Sequence, residues 1–119
     1  MILQADNRMS LVLTLAQGDY CIKQALDPQD PPCARVILTG STSKIQEDSE
    51  EAKFAKEALF TRHPNFIDYP DGHKFYFAKM NIEHICLLAW YGGAKQLTTE
   101  EYFNATLTSN NDFQDFIAR

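Results

Sequence analysis

Long apolar runs are missing from this chain of 119 residues. The longest, Ile85 to Tyr91, is strand-sized and far short of the ~20 residues of a membrane-spanning helix. Basic charge is also scarce. Lys and Arg number 11 against 16 Asp and Glu, a formal net charge of -5. That balance leaves no general phosphate-binding footprint, and no DNA-binding motif occurs, so the reading is no membrane and no nucleic acid. The opening residues, Met1 to Arg8, carry neither a basic region nor an apolar core, so they do not read as a secretory signal. Catalytic signatures are absent too: no Gly-x-Ser-x-Gly, no phosphate-binding loop and no dinucleotide glycine pattern.

Cysteine is sparse and odd in number. Cys21, Cys33 and Cys86 form no Cys-x-x-Cys. Three free thiols is the plain reading; the alternative is a Cys21–Cys33 bridge, which requires an oxidising compartment. His63, His73 and His84 are scattered without metal-like spacing to the cysteines, so no metal site is expected. His84 reads as a packed strand residue, and His63, before Pro64, as a helix-end residue facing the helix dipole.

What is present suits one folded domain: 45% hydrophobic and 23% charged residues. Strand periodicity is expected over Ser10–Ala16 and over the β-branched stretch Ala34–Ile45, with a bulge or close approach at Gly40. Tyr20–Leu26 reads as a helical turn or irregular chain. Asp27 to Pro32 holds three prolines and should be a stiff, exposed loop. A helix is predicted from an Asp48/Glu51 capping pair to Arg62, with Ala52, Ala55, Ala58 and Leu59 as its apolar stripe. The acidic run Glu47–Glu51 is then a solvated helix start. Lys74–Met80 and Ile82–Tyr91 read as two further strands after an Asp71-Gly72 turn. Gly92-Gly93 reads as a turn, and Thr98 with Glu101 as a capping box opening a last short helix. Residues 108–119 form a polar tail expected to fray. Phe75, Tyr76, Phe77, Trp90, Tyr91, Tyr102 and Phe103 are candidates for core or dimer packing, or for stacking on a flat cofactor. Asn104-Ala105-Thr106 is an N-glycosylation acceptor. The expectation from these elements is an α+β or small-barrel fold.

Several stretches, in order, carry a resemblance. Leu15-Ala16-Gln17 leads to Cys21, then through Asp27-Pro28-Gln29 to Cys33, and Leu38-Thr39-Gly40 follows. Phe60-Thr61-Arg62-His63-Pro64, Phe77 to Ile82, Trp90 to Gly93, Glu100-Glu101-Tyr102 and Asn104-Ala105-Thr106 complete it. Together they make the chain similar to the C-terminal part of the CREG-like family, the secreted cellular-repressor glycoproteins. The resemblance implies a split β-barrel of the FMN-binding, pyridoxamine-phosphate-oxidase-like type, here N-terminally truncated, with residues 1–107 as the barrel domain. In that barrel class FMN sits at a dimer interface. In this family the implied flavin site is blocked by a covering loop, matched here by Asp27, Pro28, Gln29 and Asp30.

The function so implied is non-enzymatic: growth control and differentiation through protein recognition. The implied partners are a second copy of the chain and a mannose-phosphate-type receptor or other cell-surface protein. The implied location is extracellular or endolysosomal, with Asn104 glycosylated. Two other family acceptors are lost, at Asn81-Ile82-Glu83 and Lys44-Ile45-Gln46. An FMN-binding or FMN-dependent oxidoreductase is the alternative. It requires a phosphate-binding cluster, whereas Arg35, Lys44, Lys79 and Lys95 are dispersed. Missing barrel strands would leave an open sheet edge and lower the stability of the short chain. A single cooperative unfolding transition at family-like stability would refute that expectation.

Overall fold

The computed structural model describes residues 5–70, 72 and 74–106. The expected tail over 108–119, Asp71 of the expected turn, and His73 lie outside the described residues. The elements are β1 (Arg8–Thr14), α1 (Tyr20–Lys23), β2 (Arg35–Lys44), α2 (Glu50–Arg62), β3 (Ala78–Leu88), β4 (Lys95–Leu97) and α3 (Thr99–Phe103). Short 3-10 turns lie at Leu15–Gln17 and Pro64–Asp68. The chain forms two compact units, one from 5–7 and 42–81, the other from 8–41 and 82–106. The architecture is α+β. Its strands follow the order β1-β2-β3-β4 in one four-stranded sheet. The barrel expectation is corrected here: the sheet is open. A closed small barrel takes about eight strands; the described residues provide four, of which β4 has three residues.

In the second unit, β1 pairs antiparallel with β2 from Arg8↔Ser41 to Thr14↔Arg35 without interruption. Met9 stands opposite Gly40 in that ladder, so the expected bulge at Gly40 is absent. Leu38 of β2 and Ile85 of β3 are buried, at 5% and 1% exposure. β1 behaves differently. Leu11, Val12 and Leu13 are 41–46% exposed, so both of its faces are only partly covered. After β3 the chain turns at Gly92 and Gly93, both at φ 102°, a conformation that glycine adopts without steric cost. It returns as β4, pairing Ile85 with Leu97 and Cys86 with Gln96. Sequence periodicity does not predict β4, because Lys-Gln-Leu carries no β-branched signal; its partner strand decides it. The Thr98/Glu101 capping box forms in full at the start of α3. His84 is exposed on β3, not packed.

In the first unit, α2 is capped by Ser49 and not by Asp48. Ser49 Oγ accepts from Ala52 N at 3.1 Å and donates to Gln46 O at 2.7 Å. Asp48 sits one residue earlier at φ 63°, the left-handed region that Asp tolerates better than most residues. Glu51, freed from capping, accepts from Lys79 Nζ at 2.9 Å. Of the expected stripe only Ala52 and Ala55 are half-buried, joined by Phe60, while Phe54 is 72% exposed. The expected strand Lys74–Met80 begins only at Ala78, and it is continuous with the next one as β3. Lys74 at φ 51° breaks the extended chain, and Phe77 contributes a carbonyl to Ile45 N at 2.8 Å.

The burial map predicts a sharp contrast between two truncations. Ile85→Ala removes one of the three fully buried side chains among the described residues and should cost about 2–5 kcal/mol. Phe54→Ala, at an exposed position of α2, should stay within about 0.5 kcal/mol. Urea unfolding midpoints of the two variants measure both.

Candidate functional site

Two of the site residues singled out by sequence form a covalent bond. Cys21 of α1 and Cys33 are bridged, with Cα atoms 5.6 Å apart and a sequence separation of 12. The reading of three free thiols is corrected for these two; Cys86 stays free and half-buried on β3. Both bridged cysteines are buried, at 1% and 0% exposure. The bridge closes a loop whose outermost part is Asp27, Pro28, Gln29 and Asp30.

That loop is held by its own backbone. Ala25 at φ 54° turns the chain out of α1, and Leu26 N donates to Cys21 O at 2.8 Å. Asp27 Oδ1 accepts from Gln29 N at 2.8 Å, a side-chain-closed turn. Asp27 O accepts from Asp30 N, and Asp30 O from Cys33 N, each at 3.0 Å. A guanidinium joins from the start of β2, where Arg35 Nη2 donates to Gln29 O at 2.8 Å. All four residues Asp27 to Asp30 are exposed, whereas Pro32 is buried beneath them. The loop is therefore a stiff projection on a fixed base.

Arg35 also borders a cleft of about 270 Å³, lined mainly by Leu13, Leu15, Val36 and Leu87. It is the charged residue of that lining, and its buried Nε has no hydrogen-bond partner. Asp27, Pro28, Gln29 and Asp30 do not line this cleft. The structure brings the loop to Arg35 and not across the cleft. Sequence reasoning missed Arg35 as an anchor and counted it among dispersed cations. The available signal was its place two residues after Cys33, at the mouth of a proline-rich loop.

A flavin phosphate would need several converging donors. Three of the four cations named from the sequence have partners within the chain. Arg35 is committed to Gln29, Lys44 Nζ lies 3.3 Å from Glu47, and Lys79 Nζ lies 2.9 Å from Glu51. Among the described residues, no group of three or more His, Cys, Asp or Glu is placed to hold a metal ion. No described helix is long and apolar enough to cross a membrane.

Asn104 follows α3, its N–H donating to Glu100 O at 2.9 Å. Asn104, Ala105 and Thr106 are all exposed, so the acceptor triplet is open to a modifying enzyme. The aromatic residues expected in the core are largely outside it. Phe75, Trp90, Tyr91 and Phe103 are 46–69% exposed. Trp90 packs on Tyr91 at 5.7 Å, and Tyr102 on Phe103 at 5.2 Å.

The geometry predicts that Arg35 controls loop order. Arg35→Met should cost about 1 kcal/mol of stability. It should also speed cleavage before Asp27 and Asp30 by an aspartate-specific protease in limited proteolysis. Arg35→Lys should restore little, since an ammonium lacks the planar fork that reaches a carbonyl from the strand.

Comparison with known proteins places these features in a family. The family model described as CREG, beta-barrel matches residues 2–104. Protein CREG1 of Gallus gallus is 45% identical over 102 residues, covering 86% of this chain and 52% of its own length. Protein CREG2 of Homo sapiens is 46% identical over 96 residues, covering 81% of this chain and 32% of its own. The chain thus spans about half the length, or less, of these relatives. Among solved structures, a heme binding protein from Mycobacterium smegmatis superposes with a TM-score of 0.58 at 21% identity, covering 84% of this chain and 37% of that one. This likeness is one of fold. With the family model matched from residue 2 to residue 104, the chain belongs to the CREG β-barrel family.

Proposed function

We propose that the chain is the recognition module of a non-enzymatic glycoprotein of the secretory or endolysosomal route, acting in growth control and differentiation. The observation that carries this reading is the loop. Asp27, Pro28, Gln29 and Asp30 are exposed, yet their base is fixed by the Cys21–Cys33 bridge and by Arg35. A presented surface that loses little conformational freedom on binding suits recognition. The bridge supports an oxidising compartment, where such bonds persist. The exposed acceptor at Asn104 supports a glycan, which gives a mannose-phosphate-type receptor its contact. The exposed apolar residues of β1 support a homodimer in which that strand is covered. Residues 1–107 would be the recognition domain. In this reading the loop disfavours flavin by holding one N–H of Arg35, the cation of the adjacent cleft. The alternative, FMN binding or an FMN-dependent oxidoreductase, draws on one observation, the unpartnered Nε of the same arginine.

Two measurements test the reading together. Protein made through a secretory host should bind an immobilised mannose-phosphate receptor, and Asn104→Gln should abolish that binding while leaving the unfolding free energy within about 0.5 kcal/mol of the parent. Micromolar FMN should show no quenching of flavin fluorescence. Saturable FMN binding that Arg35→Met removes would instead favour the flavin reading.

A further inference from the structure

The first unit holds an aromatic cleft that the recognition reading does not use. It measures about 440 Å³ and lies between the end of α2, the turn at Pro64–Asp68 and the stretch from Lys74 to Phe77. That volume falls in the range of small-molecule sites. Six of its ten lining residues are aromatic, three are aliphatic or proline, and the tenth is Lys74. Among the described residues, Asp and Glu are absent from this lining.

The rings are ordered by one another and not by burial. His63 stacks on Phe66 at 5.0 Å, Phe66 meets Tyr69 at 5.0 Å, and Tyr69 meets Phe75 at 5.4 Å. Phe60 lies 5.9 Å from Phe77 on the α2 side. Yet Ile67, Tyr69 and Phe75 remain 64%, 47% and 68% exposed. Preset rings that stay open to solvent give a flat ligand its stacking partners at small ordering cost.

Lys74 is the charged residue of the described lining, although Asp68 ends the turn that walls the cleft and Glu47 pairs with the nearby Lys44. The Lys74 backbone lies in the left-handed region at φ 51°, a conformation that costs a lysine energy and collects at ligand clamps. Lys44 Nζ lies over the Tyr76 ring at 5.3 Å, although Glu47 pairs with it. Lys56 Nζ lies over the Phe60 ring at 5.9 Å. An apolar, aromatic lining that holds the one cation Lys74 complements a flat organic anion, whose body stacks while its acid group meets Lys74.

We propose that this cleft binds a small flat aromatic carboxylate or sulfonate, with Phe66, Tyr69 and Phe75 as the stacking faces and Lys74 as the anion contact. The probe is anilinonaphthalene sulfonate, titrated by fluorescence into the whole chain beside its neutral analogue, phenylnaphthylamine. Saturable binding at one site is expected for both. Lys74→Glu should weaken the sulfonate about three- to tenfold and leave the neutral probe unchanged. Phe75→Ala, at an exposed position that does not endanger folding, should weaken both. Naphthoate should displace the sulfonate, and its methyl ester should displace it less well. Non-saturable binding, or sulfonate affinity indifferent to Lys74→Glu, would overturn the proposal. So would a concentration-dependent dimer that Phe75→Ala dissolves, because the cleft would then belong to a second copy of the chain.

Discussion

The Cys21–Cys33 bond is the constraint on which the second unit depends. Three side chains among the described residues are fully buried, Ile85, Cys21 and Cys33, so two of the three are halves of one covalent link. A core this thin buries little apolar area, and small folds in that position rely on cross-links. Closing a loop of this length removes about 3 kcal/mol of unfolded-chain entropy in the simplest polymer model. The bond also sets local geometry. It ties the start of α1 to the approach of β2, and Arg35, two residues after Cys33, then reaches back to Gln29. The exposed loop owes its shape to that pairing of a covalent tether with one guanidinium.

Legibility in the sequence followed the range of the forces involved. The Thr98/Glu101 box was readable because both partners lie within one helical turn and satisfy each other's backbone donors. The β1 and β2 ranges were readable from alternation and β-branching, and the structure keeps them within a residue or two. Gly92-Gly93 was readable from backbone permissiveness alone. Failures came where the decision is tertiary. Phe75 and Phe77 alternate as strand residues do, yet the left-handed turn at Lys74 keeps that stretch out of the sheet. β4 exists because Ile85 and Leu87 offer a ladder to Leu97 and Lys95. Asp48 and Ser49 are both good caps, and the choice of Ser49 rests on a bond back to Gln46. The cysteines could not be paired by counting, because their state depends on redox environment and on how near the fold brings them.

The candidate site was half legible. The loop, its stiffness and the Asn104 acceptor were visible as short local patterns. The guanidinium that fixes the loop was not, because a cation's role is set by what it faces. The same arginine bears on the two competing functional readings. Its Nη2 is spent on a loop carbonyl, which favours a presented surface, and its Nε is buried without a partner, which costs energy. An orphan donor persists where the remaining contacts hold it in place. Here those contacts are the β1–β2 ladder ending at Thr14↔Arg35 and the bond from Leu15 N to Ala34 O at 2.9 Å.

β1 poses the last physical question. Leu11, Val12 and Leu13 are 41–46% exposed on alternate faces of a strand at the end of the sheet order. An end strand offers unpaired backbone groups along one side, and an apolar one invites pairing with another chain. Proteins blunt such edges with charge, proline or a bulge. β1 has Arg8 at its first position but no proline, and its ladder with β2 has no bulge. An apolar strand left in this state is stable only when something covers it. In the proposed homodimer a second copy of the chain would meet that need by burying like against like about a two-fold axis. The stiff loop and the exposed Asn104 would then be presented twice, and two weak contacts to one surface combine through effective concentration.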